Sequence, residues 1–285
     1  MIEGSYQGFE VQIDAGIATL TLTKPERLNA MSFGTRRDLV EVLTLAQFDD
    51  DVRVLIVTGS GRGFCAGVDN RSLMSETPTV VQPRPTTRDV PVTRYGQLTH
   101  FSQALCRTVR RLDKPTIAAV NGFAIQIGLS FALSCDYLIA ARSARLGSAT
   151  LRMAYMPDEG GHWLLVQHLG VRRAYDFIMR NRIVDADEAV ALGLANEVVD
   201  DELLLPRARE LAVELAAGPQ VAMRFLKKAI YQAAELTFDQ AGEDIAVRTA
   251  YTDFHPDAID GAPAFFERRP PVFNQWLEEA DDEHG

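Results

Sequence analysis

KPTIAAVNGFAIQIGLSFALSCDYLIAARSARLGSATLRMAYMPDEGG, residues 114 to 161, decides the fold. The apolar run Thr116 to Val120 predicts a buried strand, Gly128 to Ser134 a helix and Tyr137 to Ala141 a second strand. Strand, helix and strand in this order favour an α/β layer architecture. At the end of the stretch, Asp158-Glu159-Gly160-Gly161 follows Met156-Pro157. That run has the chemistry of a turn and of an N-cap for a helix beginning near His162.

Upstream, Phe9 to Ile13 and Ile17 to Leu22 alternate across Asp14-Ala15-Gly16 and predict a hairpin. Ser32 can cap a helix that places Leu39, Leu43 and Ala46 on one face, and Val52 to Thr58 predicts a buried strand. Residues 75 to 92 carry Pro78, Pro83, Pro85 and Pro91 without a sustained period. They predict a long loop, either a lid or pocket wall or a surface insertion. A helix is expected from Tyr95 to Arg111. Beyond Asp200 the pattern turns helical, at Leu203 to Ala217, Val221 to Glu235 and Phe238 onward. The expected organisation is an α/β core over 1–200 and a helical C-terminal region over 201–285.

The 285 residues, 47% hydrophobic, suffice for a substantial core. A net charge of −10 argues against nucleic-acid or anionic-membrane partners, which need a basic field. Cys65, Cys106 and Cys135 are widely spaced and form no paired motif, so neither a disulfide framework nor a metal site is expected, and a reducing, cytoplasmic setting follows. The segment MIEGSYQGFEVQID lacks the pattern of a signal peptide, and no apolar run is long enough to span a membrane. HExxH, GxSxG, P-loop and dinucleotide fingerprints are absent, and GSGRGF is not followed by GK[ST].

KPERLNAMS, VLIVTGSGRGFCAGVD, KPTIAAVNGFAI, SCDYLIAARSARLGSA, ALGLANEVVDDELL and DGAPAFFERRPPVF occur in this order along nearly the whole chain. In wording and spacing they resemble the crotonase (enoyl-CoA hydratase/isomerase) superfamily. The resemblance implies a spiral of ββα turns, a helical C-terminal trimerisation region, and a homotrimer or dimer of trimers. It also implies an enolate or oxyanion derived from an acyl-CoA thioester, held by backbone N–H donors. Those donors would be Val68 in FCAGVD and Ile127 in AIQIGLS. Coenzyme A would enter as part of the substrate, with no other cofactor.

This chain reads Gln126-Ile127-Gly128 where relatives usually carry consecutive glycines. If the peptide needs a positive φ, isoleucine fits poorly there; if it needs an ordinary conformation, the isoleucine narrows the pocket. The two positions where hydratases keep catalytic glutamates are Ser130 and Thr150. A hydroxyl cannot replace a carboxylate as general base near neutral pH, so two-glutamate hydration is not expected. Both hydroxyls also suit ordinary turn or helix-end roles.

By resemblance, Asp158 matches a catalytic aspartate of dienoyl-CoA isomerases, and Glu159 an active-site aspartate of crotonase-fold β-diketone hydrolases. One of the pair is expected to reach the site. His162 and His168, six apart, do not have the spacing of a metal pair on one helix face. By the same resemblance, backbone groups around Ala66, Gly67 and Asp69 would receive the adenine and pantetheine ends of coenzyme A, and Gly128, Ser130 and Thr150 are candidate contacts to coenzyme A or substrate. Arg27, Arg268 and Arg269 are candidates for phosphate contacts and Phe266 for the adenine or a subunit interface. Three readings stay open: an isomerase or carbon–carbon lyase acting on acyl-CoA, an inactive acyl-CoA-binding protein, and a hydrolase of free β-diketones.

Overall fold

Strand β2 (Phe9–Asp14) turns back into β3 (Ile17–Leu22) with Phe9 opposite Leu22 and Asp14 opposite Ile17, and β1 (Gly4–Tyr6) adds to its outer edge. Ala15 and Gly16 both have positive φ, 51° and 78°, which makes the two-residue turn whose twist matches the strands. The computed structural model describes residues 2–69 and 90–277. Most of the proline-rich 75–92 segment therefore lies outside the described residues.

After the hairpin, α1 (Phe33–Ala46) is capped by Ser32, whose Oγ accepts from the Thr35 N–H at 3.1 Å, and buries Leu39, Val42, Leu43 and Ala46. The chain returns as β4 (Val54–Gly59), parallel to β3. With β6 (Thr116–Val120), β8 (Tyr137–Ala141) and β11 (Glu197–Val199), the main sheet has the order β1-β2-β3-β4-β6-β8-β11. Its central strands are buried on both faces, so they read as continuous apolar runs instead of alternating ones. Leu55, Val57, Ala118 and Leu138 face the α1 side. Val54, Ile56, Ile117 and Ile139 face α7 (Leu204–Ala217), which covers them with Leu204, Ala208, Ala212 and Ala216, every fourth residue on one stripe.

A second sheet has the order β10-β9-β7-β5, built from β5 (Gly63–Cys65), β7 (Phe123–Ile125), β9 (Arg145–Gly147) and β10 (Ile183–Asp185). Each of β4, β6 and β8 is followed by one strand of this smaller sheet and then by helical structure. These are the repeated ββα turns of a spiral.

The uninterrupted helix expected over 95–111 is instead α2 (Val90–Gln97), a wide π turn Leu98–Ser102 and α3 (Ala104–Arg111). Thr99 Oγ1 donates to the carbonyls of Tyr95 and Gly96, 3.1 and 3.2 Å away, an alternative to the regular ladder at the break. The remaining helices are α4 (Ile127–Leu133), α5 (Gly161–Met179), α6 (Ala186–Leu192), α8 (Gln220–Ala233), α9 (Phe238–Thr252) and α10 (Pro256–Glu267). Among the described residues no helix is long and apolar enough to cross a membrane.

Candidate active site

The C-terminal ends of β5 and β7 lie side by side in parallel, with Gly63 opposite Phe123 and Cys65 opposite Ala124. Two loops leave from this edge. The first, Ala66-Gly67-Val68-Asp69, is laced to the KPERLNAMS segment by backbone bonds. Ala66 N–H donates to Leu28 O at 2.9 Å, Met31 N–H to Gly67 O at 2.9 Å and Asp69 N–H to Met31 O at 3.0 Å.

Asn29, buried and left-handed at φ 57°, fastens the same segment from beneath. Its Nδ2 donates to the carbonyls of Ser60 and Gly63 at 2.9 and 2.6 Å. Gly67 has φ 119°, a region open to glycine and rarely to other residues. Arg27 Nη1 donates to both carboxylate oxygens of Asp69, at 3.1 and 3.0 Å, on the outer side of this loop.

The second loop is Gln126 and the head of α4. Gln126 donates its N–H to Gly147 O at 2.9 Å and then reverses the chain at φ 53°, ψ −106°. The positive φ that the consecutive glycines of relatives suggest thus falls on Gln126 and not on Ile127. Ile127 is the first helical residue, and its side chain packs into the main core instead of standing in the open. Gly128 is fixed by contact: a Cβ there would lie 2.0 Å from the Cys65 carbonyl oxygen. The head of α4 therefore rests directly on the end of β5. Among the described residues no acceptor takes the N–H of Val68 or of Ile127.

The 157–161 turn brings a carboxylate to this place. The N-cap residue of α5 is Gly160, at φ 98°, with no side-chain cap bond, so the cap position falls on a glycine and on neither Asp158 nor Glu159. Glu159 turns inward and is 3% exposed. Its Oε1 accepts from Ser130 Oγ at 2.8 Å and from Gln126 Nε2 at 2.7 Å. Space for this is made at Gly161, where a Cβ would stand 2.5 Å from Ser130 Oγ and 3.0 Å from Glu159 Oε1.

Burial pushes the Glu159 carboxyl up to about 6, against the pull of its own backbone N–H, Ser130 and Gln126, with the Asp158 charge adding to the rise. Asp158 itself is half-buried. His162 Nδ1 lies 3.3 Å from Pro157 O and closes the turn, and His168 Nε2 lies 3.4 Å from Leu133 O.

Thr150 begins the turn Thr150–Met153, and its Oγ1 is buried without a hydrogen-bond partner among the described residues. The two residues before it reach Gln126: Ser148 Oγ and the Ala149 N–H both donate to Gln126 Oε1, at 3.2 and 3.3 Å. Gln126 thus joins three of the segments that meet here. From sequence the neighbouring donor, Ile127, stands out more than Gln126 does. The available signal was an amide where relatives keep glycine.

The residues proposed for coenzyme A separate into two groups. Ala66, Gly67 and Asp69 belong to the first loop, and Arg27 is joined to it through Asp69. Arg269 is engaged by carboxylates of the preceding helix α10, Asp260 at 2.6 Å and Glu267 at 2.9 Å. Arg268 closes α10 in the left-handed region at φ 56°. Phe266 is 82% exposed and meets the edge of Phe265, with ring centroids 5.7 Å apart. Cys65, Cys106 and Cys135 are buried free thiols, each pushed up to about 12 by burial, and are poor nucleophiles.

Among the described residues the N–H groups of Val68 and Ile127 are unpaired, and the desolvated Glu159 carboxylate is bonded to Gln126, next to Ile127; such donors can receive a developing oxyanion, and such a carboxylate can exchange a proton. The family model for enoyl-CoA hydratase/isomerase matches residues 12–276. The chain belongs to that family. It is 35% identical to 1,2-epoxyphenylacetyl-CoA isomerase of Escherichia coli (strain K12) over 267 residues, 92% of this chain and 96% of that protein. It is 29% identical to crotonyl-CoA hydratase of Syntrophomonas wolfei over 270 residues, covering 94% and 98%. Among solved structures, enoyl-CoA hydratase from Bacillus anthracis superposes with a TM-score of 0.82 at 28% identity, covering 94% and 99% of the two chains. The fold is the crotonase spiral, and the protein is an enzyme of the enoyl-CoA hydratase/isomerase family.

Proposed function

We propose that this enzyme isomerises an acyl-CoA thioester by moving one proton through Glu159, while the N–H groups of Val68 and Ile127 hold the thioester oxygen. The observation that carries the reading is the Glu159 carboxylate seated on Ser130, with its pKa at about 6. The small Ser130 leaves room for a carboxylate arriving from the 158–159 turn. An acid/base group is thereby restored beside α4 from a different part of the chain.

The step balances without an added reactant. The two N–H groups stabilise negative charge on the carbonyl oxygen, which acidifies a carbon-bound hydrogen of the acyl chain. Glu159 takes that proton as the C–H bond breaks, and an enolate or dienolate forms. The proton then returns to a different carbon, which shifts the double bond and regenerates the carboxylate. A pKa near 6 leaves the group ionised at neutral pH yet able to hold a proton. Hydration would also need a group to position water, and Thr150 supplies only a hydroxyl.

Coenzyme A then enters only as part of the substrate, along Ala66 to Asp69, with Arg27 at the rim. Phe266 and Arg269 reach it from a neighbouring subunit of a trimer or dimer of trimers. Support for that arrangement is the run of exposed apolar side chains on α9 and α10, among them Phe238, Val247, Phe265 and Phe266.

The test is incubation with 2-enoyl-, 3-enoyl- and dienoyl-CoA thioesters in heavy water, read by mass spectrometry. A moved double bond with no added water is expected, with deuterium entering to the extent that the proton on Glu159 exchanges with solvent before it returns, and Glu159→Gln should lower the rate about a hundredfold or more. Added water, loss of an acyl fragment, or an active Glu159→Gln enzyme would each overturn the reading.

A further inference from the structure

We infer that Gln126 is a positioning residue that orients the Glu159 carboxylate through its amide and the Ile127 N–H through its backbone. The inference rests on the proposed role of Glu159 and goes beyond it by assigning work to a residue that stands where relatives usually carry glycine.

The backbone argument comes first. At φ 53°, ψ −106°, Gln126 lies outside the small left-handed region that side chains tolerate, in territory that glycine enters freely. Such a conformation persists only when its surroundings over-determine it. Here both backbone groups and both ends of the amide are engaged. The N–H donates to Gly147 O at 2.9 Å and the carbonyl accepts from Ser130 N–H at 2.8 Å. The peptide joining residues 126 and 127 carries the Ile127 N–H, so fixing Gln126 fixes that donor.

The amide argument is independent. Its Oε1 accepts from Ser148 Oγ and from the Ala149 N–H, so the amide cannot turn over without setting its NH2 against the Ala149 donor. Nε2 is therefore held as an obligate donor to Glu159 Oε1, at 2.7 Å. Ser130 also donates to Oε1, but a hydroxyl can reverse its role and an amide NH2 cannot. A proton on Oε1 would face that N–H, so the transferred proton resides on Oε2. Gln126 thus selects the oxygen that does the chemistry. Among the described residues, Asp158 on its own turn and the buried Cys106 thiol of α3 also interact electrostatically with Glu159.

The experiment compares Gln126→Gly with Gln126→Ala, using isomerisation of an enoyl-CoA thioester as readout and Glu159→Gln as reference. Both variants lose the amide, and only the glycine variant also relieves the backbone. In both, kcat should fall about 10- to 100-fold with KM changed less than about threefold. The acid limb of the kcat/KM profile should move up in pH in both, because a donor to the ionised carboxylate is gone. The thermal midpoint of Gln126→Gly should equal or exceed that of the parent enzyme, which separates lost positioning from lost folding. An unmoved acid limb in both variants would overturn the inference, as would a Gln126→Gly enzyme with the parent's kcat. If Glu159→Gln itself remained active, the proposed function would be what had failed.

Discussion

The two loops that leave β5 and β7 frame the proposed site by different means. The first, Ala66 to Asp69, is held by main-chain bonds to Leu28 and Met31, and its unusual torsion falls on a glycine. The second bears its unusual torsion on a glutamine and, besides main-chain bonds to Gly147 and Ser130, is held by the side chains of Gln126, Ser130 and Glu159. A backbone-built loop is indifferent to most substitutions around it. A side-chain-built one is specific to this chain, so differences in reaction within a shared fold are expected to concentrate in the second loop.

The largest effect that would break this contrast is on Glu159. General acid–base groups typically contribute about a hundredfold to ten-thousandfold in rate, so Glu159→Gln should lower kcat by that order, measured by double-bond migration at pH 7.5. Gly128→Ala comes next and strikes the joint between the two loops. A Cβ 2.0 Å from the Cys65 carbonyl cannot be met by a flexible side chain moving aside, because the obstacle is backbone. α4 must lift off β5, and a loss of about 1–3 kcal/mol of stability is expected from overpacking of this kind. Denaturant titration would read it. Retention of full activity with such a loss would mean that the spacing of the loops matters little.

The same contrast governs what could be read from the sequence. The strands were legible because doubly buried parallel strands announce themselves as apolar runs, and 116–120 and 137–141 appear as strands at the positions expected, whereas their winding into a spiral was implied only by the family resemblance. The first loop was legible because its string survives in FCAGVD. Less visible was the π turn at Leu98–Ser102, since the run around it keeps its helical residue types and only the bonding changes. Least visible was the second loop. Ser130 and Glu159 are 29 residues apart, and only the approach of α5 to α4 at Gly161 shows that they meet. Periodicity cannot report a contact of that kind. Nor could it say that the strain would fall on Gln126 and spare Ile127.

A smaller effect tests the Glu159 environment by stability. Its carboxyl rises from 4.5 to about 6 on folding, so the folded state binds the proton more tightly. The favourable contribution is fully present below 4.5 and is lost as pH rises through about 6, a swing of about 2 kcal/mol by linkage. Unfolding titrations between pH 5 and 8 should show this decline in the parent enzyme. Glu159→Gln should flatten it and be the more stable protein at pH 8 while being the less active one. A parallel decline in both proteins would place the titration elsewhere and weaken the case for a desolvated carboxylate on the second loop.

The smallest effect belongs to the rim of the first loop. The Arg27–Asp69 pair has a guanidinium side chain 43% exposed, and exposed pairs contribute about 0–1 kcal/mol. Arg27→Gln should therefore barely change stability, in keeping with a loop held by its backbone. Its proposed contact with the coenzyme A phosphates predicts a separate signature. KM for an enoyl-CoA thioester should rise several-fold, and KM for the corresponding pantetheine thioester, which lacks those phosphates, should not. Equal rises for both would assign Arg27 to shaping the Val68 peptide through Asp69, and the first loop would then depend on side chains as the second does.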